Sequence, residues 1–301
     1  MKRIVLGFGL KDSDEPTVRT LGRLRFKEAV VDVVHAVEPP PLMFLVGDEP
    51  AFGGAIANAM EGEEAQGRHD GEAIRTRLRA QEVTPGALSV VFGHGIAAQL
   101  IDYADRTDAA LITVGSHGKG PARSFFTGSV GRGLIIGAHR SLLIAKGWPA
   151  ESGGIRAVFA TDHSAYADRC LTTLLNLAPQ GISQLTVLTA YPIDAIRTIE
   201  AFLPPGIGDR AEWVRKSLCE RNAGVIQRLA PLGCAMDSRV ENGRIADVLP
   251  EVMLDTDADL LILGARGHGF RERMDVGSTS LHEALTEPRS ILVLRAPPPG
   301  H

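Results

Sequence analysis

Short runs of Val, Ile, Leu and Ala alternate along the chain with longer amphipathic stretches. The runs are too uniformly apolar to leave one face in water. They match βαβ units whose parallel sheet is covered on both faces. Strands are predicted at 3–8, 29–36, 88–92, 110–114 and 141–145, and again at 156–161, 184–190, 234–240, 258–263 and 290–294. The clearest helix is predicted over 211–230, where Trp213, Val214, Leu218, Val225, Ile226 and Leu229 recur near helical spacing. Pro231 and Gly233 then stop it. Segments 38–70 and 191–210 carry Pro and Gly clusters without a clear period, and are predicted as loops with short helices.

The order of elements repeats. Residues 110–146, ALITVGSHGKGPARSFFTGSVGRGLIIGAHRSLLIAK, correspond without a gap to residues 259–295, DLLILGARGHGFRERMDVGSTSLHEALTEPRSILVLR. Gly115 and Gly264, Gly128 and Gly277, and Ser141 and Ser290 each stand 149 positions apart (264 − 115). The beginnings correspond less closely, as RIVLGFG at 3–9 and RAVFATD at 156–162. Self-similarity at one period marks two copies of a domain. The turn-forming stretch 147–154, GWPAESGG, reads as the linker, with domains at 1–148 and 154–301.

Composition narrows the function classes. A chain of 301 residues with 44% hydrophobic character is long enough for two cores. Its 32 Lys and Arg against 36 Asp and Glu leave a formal charge of −4, which removes the electrostatic case for nucleic acid or an anionic membrane as partner. Lys2 and Arg3 precede an apolar run from Ile4 to Leu10, but Lys11, Asp12 and Asp14 follow at once, so the run reads as a first strand, not a signal peptide. No apolar stretch approaches the roughly 18 residues of a membrane span. Cys170, Cys219 and Cys234 are odd in number and lack metal-finger spacing, which suits free thiols in a reducing cytoplasm.

In both copies an apolar strand runs into Gly-x2-Gly, then nine residues, then Gly-Ser and a helical pattern. Glycines let the backbone approach a phosphate, and the N–H groups opening the next helix point at it. Ser129 and Ser278 stand where a hydroxyl can cap that helix and bond a phosphate oxygen. The same glycines would also serve plain strand-to-helix turns. A Walker A loop is absent, and no GxGxxG opens the first strand–helix turn of either half.

The doubled pattern Gly-x2-Gly-x9-Gly-[Ser/Thr] resembles the universal stress protein (UspA) family, and the likeness spans both halves, as in a tandem two-domain member. The resemblance implies two Rossmann-like α/β domains of the adenine nucleotide alpha hydrolase-like kind, each with a five-stranded parallel sheet of order 3-2-1-4-5. In the family's ATP-binding branch it implies adenine nucleotide, ATP with or without Mg2+, between the end of the first strand and the glycine loop. Other members of such folds bind no nucleotide. The first-strand aspartate of that branch corresponds to Asp162; in the first half Gly9 takes its place. The backbone that meets the adenine edge corresponds to Ala190, and to Ala36 in the first half. Phosphate contacts correspond to Gly264, Gly267, Gly277, Ser278 and Thr279, with Gly115, Gly118, Gly128, Ser129 and Val130 as first-half counterparts. The second half is therefore expected to hold the better site. The resemblance also implies an internal pseudo-twofold pair through the C-terminal strands SLLIAK and SILVLR, with homodimerisation open.

Arg266, Arg271, Arg273, Lys119 and Arg123 flank the glycine loops, as ordinary solvated charges or as phosphate partners. His117, His163 and His268 lie nearby without a recognisable metal-ligand spacing, and no nucleophile elbow occurs, so no catalytic or metal residue is assigned. Three functions follow as expectations: a cytoplasmic nucleotide-binding stress-response protein, a slow Mg-dependent ATP hydrolase, and a nucleotide-independent scaffold or small-ligand carrier.

Overall fold

The computed structural model describes residues 1–9, 15–39, 50–116, 128–147, 153–192, 209–266, 282 and 286–296. The chain divides into two compact units, Met1–Pro149 and Ala150–His301. In the first, β1 (Lys2–Phe8), β2 (Ala29–Val37), β3 (Pro85–Phe92), β4 (Leu111–Gly115) and β5 (Ser141–Ala145) pair in parallel. Their order is β3-β2-β1-β4-β5. The connecting helices are α1 (Glu15–Leu24), α2 (Pro50–Ala80), α3 (Ile96–Arg106) and α4 (Ser129–Gly137).

The inner strands are largely apolar, Asp32, His35 and Thr113 apart, because helices cover both faces. Ile4, Val5 and Leu6 of β1, Val33 and Val34 of β2, and Leu142, Leu143 and Ile144 of β5 are all 1% exposed or less. Helix α1 packs with α2, and α3 with α4. The two layers lie on opposite faces: a Cβ at Gly7 would strike Leu100 of α3, whereas Gly67 of α2 abuts His35.

The second unit repeats this order. β6 (Ile155–Ala160), β7 (Ile182–Tyr191), β8 (Ala235–Asn242), β9 (Leu260–Gly264) and β10 (Ser290–Leu294) run as β8-β7-β6-β9-β10, all parallel. Each sheet therefore has the 3-2-1-4-5 order, and each predicted strand lies within a few residues of its place. Helices α5 (Ala165–Leu177), α6 (Arg210–Leu229) and α7 (Ile245–Asp255) connect them. The α6 start is capped by Asp209, whose carboxylate accepts the Glu212 N–H at 3.1 Å. A 3-10 turn, Ala230–Leu232, and Gly233 at φ +72° then end it. No helix among the described residues is long and apolar enough to cross a membrane.

One segment differs from the sequence expectation. Residues 50–70, read as loop with short helices, belong to the 31-residue α2. Its inner stripe is Gly67, Gly71, Ile74 and Leu78, so two core-facing positions hold no side chain. A Cβ at Gly67 would lie 2.6 Å from the His35 ring, and one at Gly71 2.3 Å from Leu88. These glycines allow close helix–sheet approach, and their lack of apolar bulk hides the helical period. Glu64–Arg68 and Glu72–Arg75 pairs at helical spacing support the outer face. For the other segment read as loop, 193–208 lie outside the described residues. Trp213, counted in the α6 period, is 42% exposed.

Candidate functional site

In a 3-2-1-4-5 sheet the connections leave the first strand in opposite directions, which opens a crevice at the carboxyl ends of its strands. Register places the sequence-predicted residues along that edge. Ile4 of β1 stands opposite Leu111 of β4, and Ala157 of β6 opposite Leu260 of β9, so Gly9 occupies the first-unit position of Asp162. Phe8 pairs with His35, and Ala160 with Leu188, which equates Phe8 with Thr161, His35 with Thr189 and Ala36 with Ala190. Asp162, Ala190 and Gly264 thus share the carboxyl edge of β6, β7 and β9. Gly9, Ala36 and Gly115 share the equivalent edge of the first unit.

The turn after β6 is held at several points. Asp162 Oδ1 accepts the Ser164 N–H at 3.0 Å, an Asx turn. Ser164 Oγ accepts the Ala167 N–H at 3.1 Å and caps α5. Between them His163 adopts φ +56°, a left-handed conformation that non-glycine residues seldom take. Its backbone N–H donates to Thr161 Oγ1 at 3.1 Å, and its Nε2 lies 3.0 Å from Thr189 Oγ1. Behind Thr189 stands Asn222 of α6, wholly buried. Thr189 Oγ1 donates to Asn222 Oδ1 at 2.8 Å. Asn222 Nδ2 faces the carbonyl oxygens of Val187 and Arg239, at 3.3 and 3.2 Å, and Ser238 Oγ at 3.0 Å.

Gly264 closes the other side. A Cβ there would lie 3.2 Å from Cys170 Sγ and 3.4 Å from Tyr166 Cε1, so β9 leaves the sheet tightly against α5. Burial pushes the Cys170 thiol up to about 12 and raises the Tyr166 phenol as well. The Tyr166 hydroxyl accepts the Ala296 N–H at 3.3 Å. Arg266, exposed at the start of the glycine loop, lays its guanidinium 5.6 Å from the Tyr166 ring centroid. A cation–π interaction thus holds that positive charge against the ring.

The first unit has a different lining. His35 is 5% exposed, its ring centroid is 5.1 Å from that of Phe8, and Nδ1 lies 3.2 Å from the Phe8 carbonyl oxygen. Leu88 and Gly71 stand where the second unit has Ser238 and Asn222. An aromatic pair and a leucine therefore replace a chain of hydroxyl and amide groups. Gly128, Ser129 and Val130 open α4, but Gly128 is the cap residue and supplies no side-chain cap hydrogen bond. The expected Ser129 cap is not formed, because the helix begins at Ser129 and the capping position before it has no side chain.

Gly118, Gly267, Gly277, Ser278 and Thr279 lie outside the described residues, as do Lys119, Arg123, Arg271, Arg273, His117 and His268. Sequence reasoning missed Thr189, Asn222, Ser238, Tyr166 and His35 as site neighbours. Asn222 had a readable signal, a polar residue on the stripe of Leu218, Val225 and Leu229. Among the described residues no group of three or more His, Cys, Asp or Glu is arranged to hold a metal ion.

Comparison with known proteins agrees with this architecture. Over 97% of this chain and 98% of its own, the crystal structure of a universal stress protein from Archaeoglobus fulgidus is similar at a TM-score of 0.66 and 17% identity. A functionally unknown protein from Pseudomonas aeruginosa matches over 98% and 93% of the two chains, with TM-score 0.63 and 14% identity. A universal stress protein solved in complex with cAMP matches over 48% of this chain and 95% of its own, at 20% identity and a TM-score of 0.32, too low to bear on this site. No curated protein sequence matches significantly. The universal stress protein family profile matches residues 1–146 and 156–295, one copy in each unit. Two family matches in tandem, on two sheets of the same strand order, place this chain in the universal stress protein family as a two-domain member.

Proposed function

We propose that the second domain binds an adenine nucleotide, ATP or a close relative, and that the chain is a cytoplasmic binding protein of the stress response whose occupancy alters its conformation or partners. The observation that carries this reading is the placement of Asp162 and Gly264 on neighbouring strand ends at the point where the strand order reverses. The donor set fits such a ligand. A carboxylate at Asp162 suits ribose hydroxyls, main chain at Ala190 suits an adenine edge, and the tight exit at Gly264 brings backbone to the phosphates. Arg266, held against Tyr166, adds positive charge for phosphate oxygens. Bound Mg2+ would supply further screening of that charge. Three free cysteines suit a reducing compartment.

The first domain supports a different reading, because Gly9 supplies no carboxylate and the Phe8–His35 pair fills the adjoining position. It serves as a scaffold or takes another ligand. Native mass spectrometry of the purified chain, with chromatography of any extracted ligand, tests both assignments. One adenine nucleotide per chain, lost in Asp162→Ala, is the expected result; no nucleotide retained or taken up from added ATP would overturn the reading.

A further inference from the structure

The hydrogen bonds around Asn222 fix the direction of every proton in the chain that leads to His163. The Asn222 amide nitrogen faces two carbonyl oxygens, Val187 O and Arg239 O, which can only accept. A flipped amide would set oxygen against oxygen at both contacts, so Oδ1 must be the atom that faces Thr189. The Thr189 hydroxyl has one proton and spends it on Asn222 Oδ1 at 2.8 Å. Toward His163 Nε2, 3.0 Å away, Thr189 can therefore only accept. The proton of that bond belongs to His163 Nε2.

We propose that Asn222, Thr189 and His163 form a positioning relay that holds the Asp162 turn preformed for its ligand, with His163 kept as the Nε2–H form. The relay anchors an imidazole whose backbone sits at φ +56° directly after Asp162, a conformation that must be stabilised by its surroundings. Its far end is secured on β7, α6 and β8 together, since Asn222 is buried and bonds backbone of both strands. The first domain has no equivalent: His35, Gly71 and Leu88 replace Thr189, Asn222 and Ser238, and His35 Nδ1 meets the Phe8 carbonyl instead. The relay divides the two domains by function. Its bearing on the ligand rests on the nucleotide reading above; its bearing on the turn does not.

Nitrogen-15 NMR of the full-length, ligand-free protein tests the relay, with the His163 resonance assigned by its loss in His163→Gln. A slowly exchanging Nε2–H proton at neutral pH is expected, absent in Thr189→Val and restored in Thr189→Ser. The His163 and Ser164 amides should exchange faster in the valine variant only. A proton on Nδ1 with Nε2 bare would overturn the assignment, and it needs only the wild-type protein. Titration with ATP should then show about tenfold weaker binding in Thr189→Val, with Thr189→Ser close to wild type. Equal affinity in all three would overturn the positioning role. If the wild type binds no adenine nucleotide, the functional reading falls, and the imidazole and amide signals still decide the relay.

Discussion

Asp32, wholly buried on β2, accepts a 2.6 Å hydrogen bond from the Arg3 guanidinium on β1. The same carboxylate accepts the Ala87 N–H at 2.9 Å and the Tyr103 hydroxyl at 3.2 Å, so it joins β1, β2, β3 and α3 of the first domain. Removing it leaves three donors without their acceptor. Asp32→Ala is expected to cost about 2–4 kcal/mol in urea unfolding. Asp168→Ala breaks the Arg228–Asp168 pair, whose side chains are 43% and 60% exposed, and should cost less than about 1 kcal/mol. Equal losses would show that burial does not set the difference.

Cys170 makes stability depend on alkaline pH. Its ordinary value is 9.0, and burial raises it to about 12 in the folded chain. Below 9 the thiol is protonated in both states and adds no dependence. Above 9 the unfolded chain releases a proton that the folded chain keeps, so stability falls until about pH 12. Urea midpoints between pH 8 and about pH 10 should therefore drop more steeply in wild type than in Cys170→Ala. In the native protein Cys219 and Cys234, both partly exposed, should alkylate before Cys170, as read by peptide mass spectrometry.

Two glycines should respond unequally to alanine. A Cβ at Gly86 would lie 2.1 Å from Asp32 Oδ1, an oxygen already held by the Ala87 N–H. Gly86→Ala is expected to lose about 1–3 kcal/mol. At Gly9 nothing among the described residues lies within 4 Å of an added Cβ. Gly9→Ala should stay within about 0.5 kcal/mol of wild type, checked by thermal unfolding of both.

The same position permits a test of the division between domains. Gly9→Asp restores the carboxylate to the first-domain edge but leaves His35, Leu88 and Gly71 in place. Nucleotide stoichiometry, read by native mass spectrometry, is expected to remain one per chain. A second nucleotide would mean that the carboxylate alone makes the site.

Most of the architecture was legible because a parallel sheet covered on both faces writes itself as apolar runs. Val33 and Val34 are both buried, and so are Leu142 and Leu143, with no alternation to misread. The long α2 was not legible, because Gly67 and Gly71 occupy core positions and mimic a loop. Gly264 could be named in advance from a motif contiguous in sequence, and Asp162 through the family resemblance which that motif carries. Thr189 and Asn222 belong to no motif and meet only when α6 packs on β7.

The sequence by itself determined the doubled α/β repeat and the strand positions, because local composition and a constant offset carry that information, while Gly9 in place of an acidic residue was read only through the family resemblance. Only the tertiary structure decided what stands behind each turn. Hydrogen-bond direction depends on which groups face one another across elements far apart in the chain, and His163, Thr189 and Asn222 share a network only once three elements pack together.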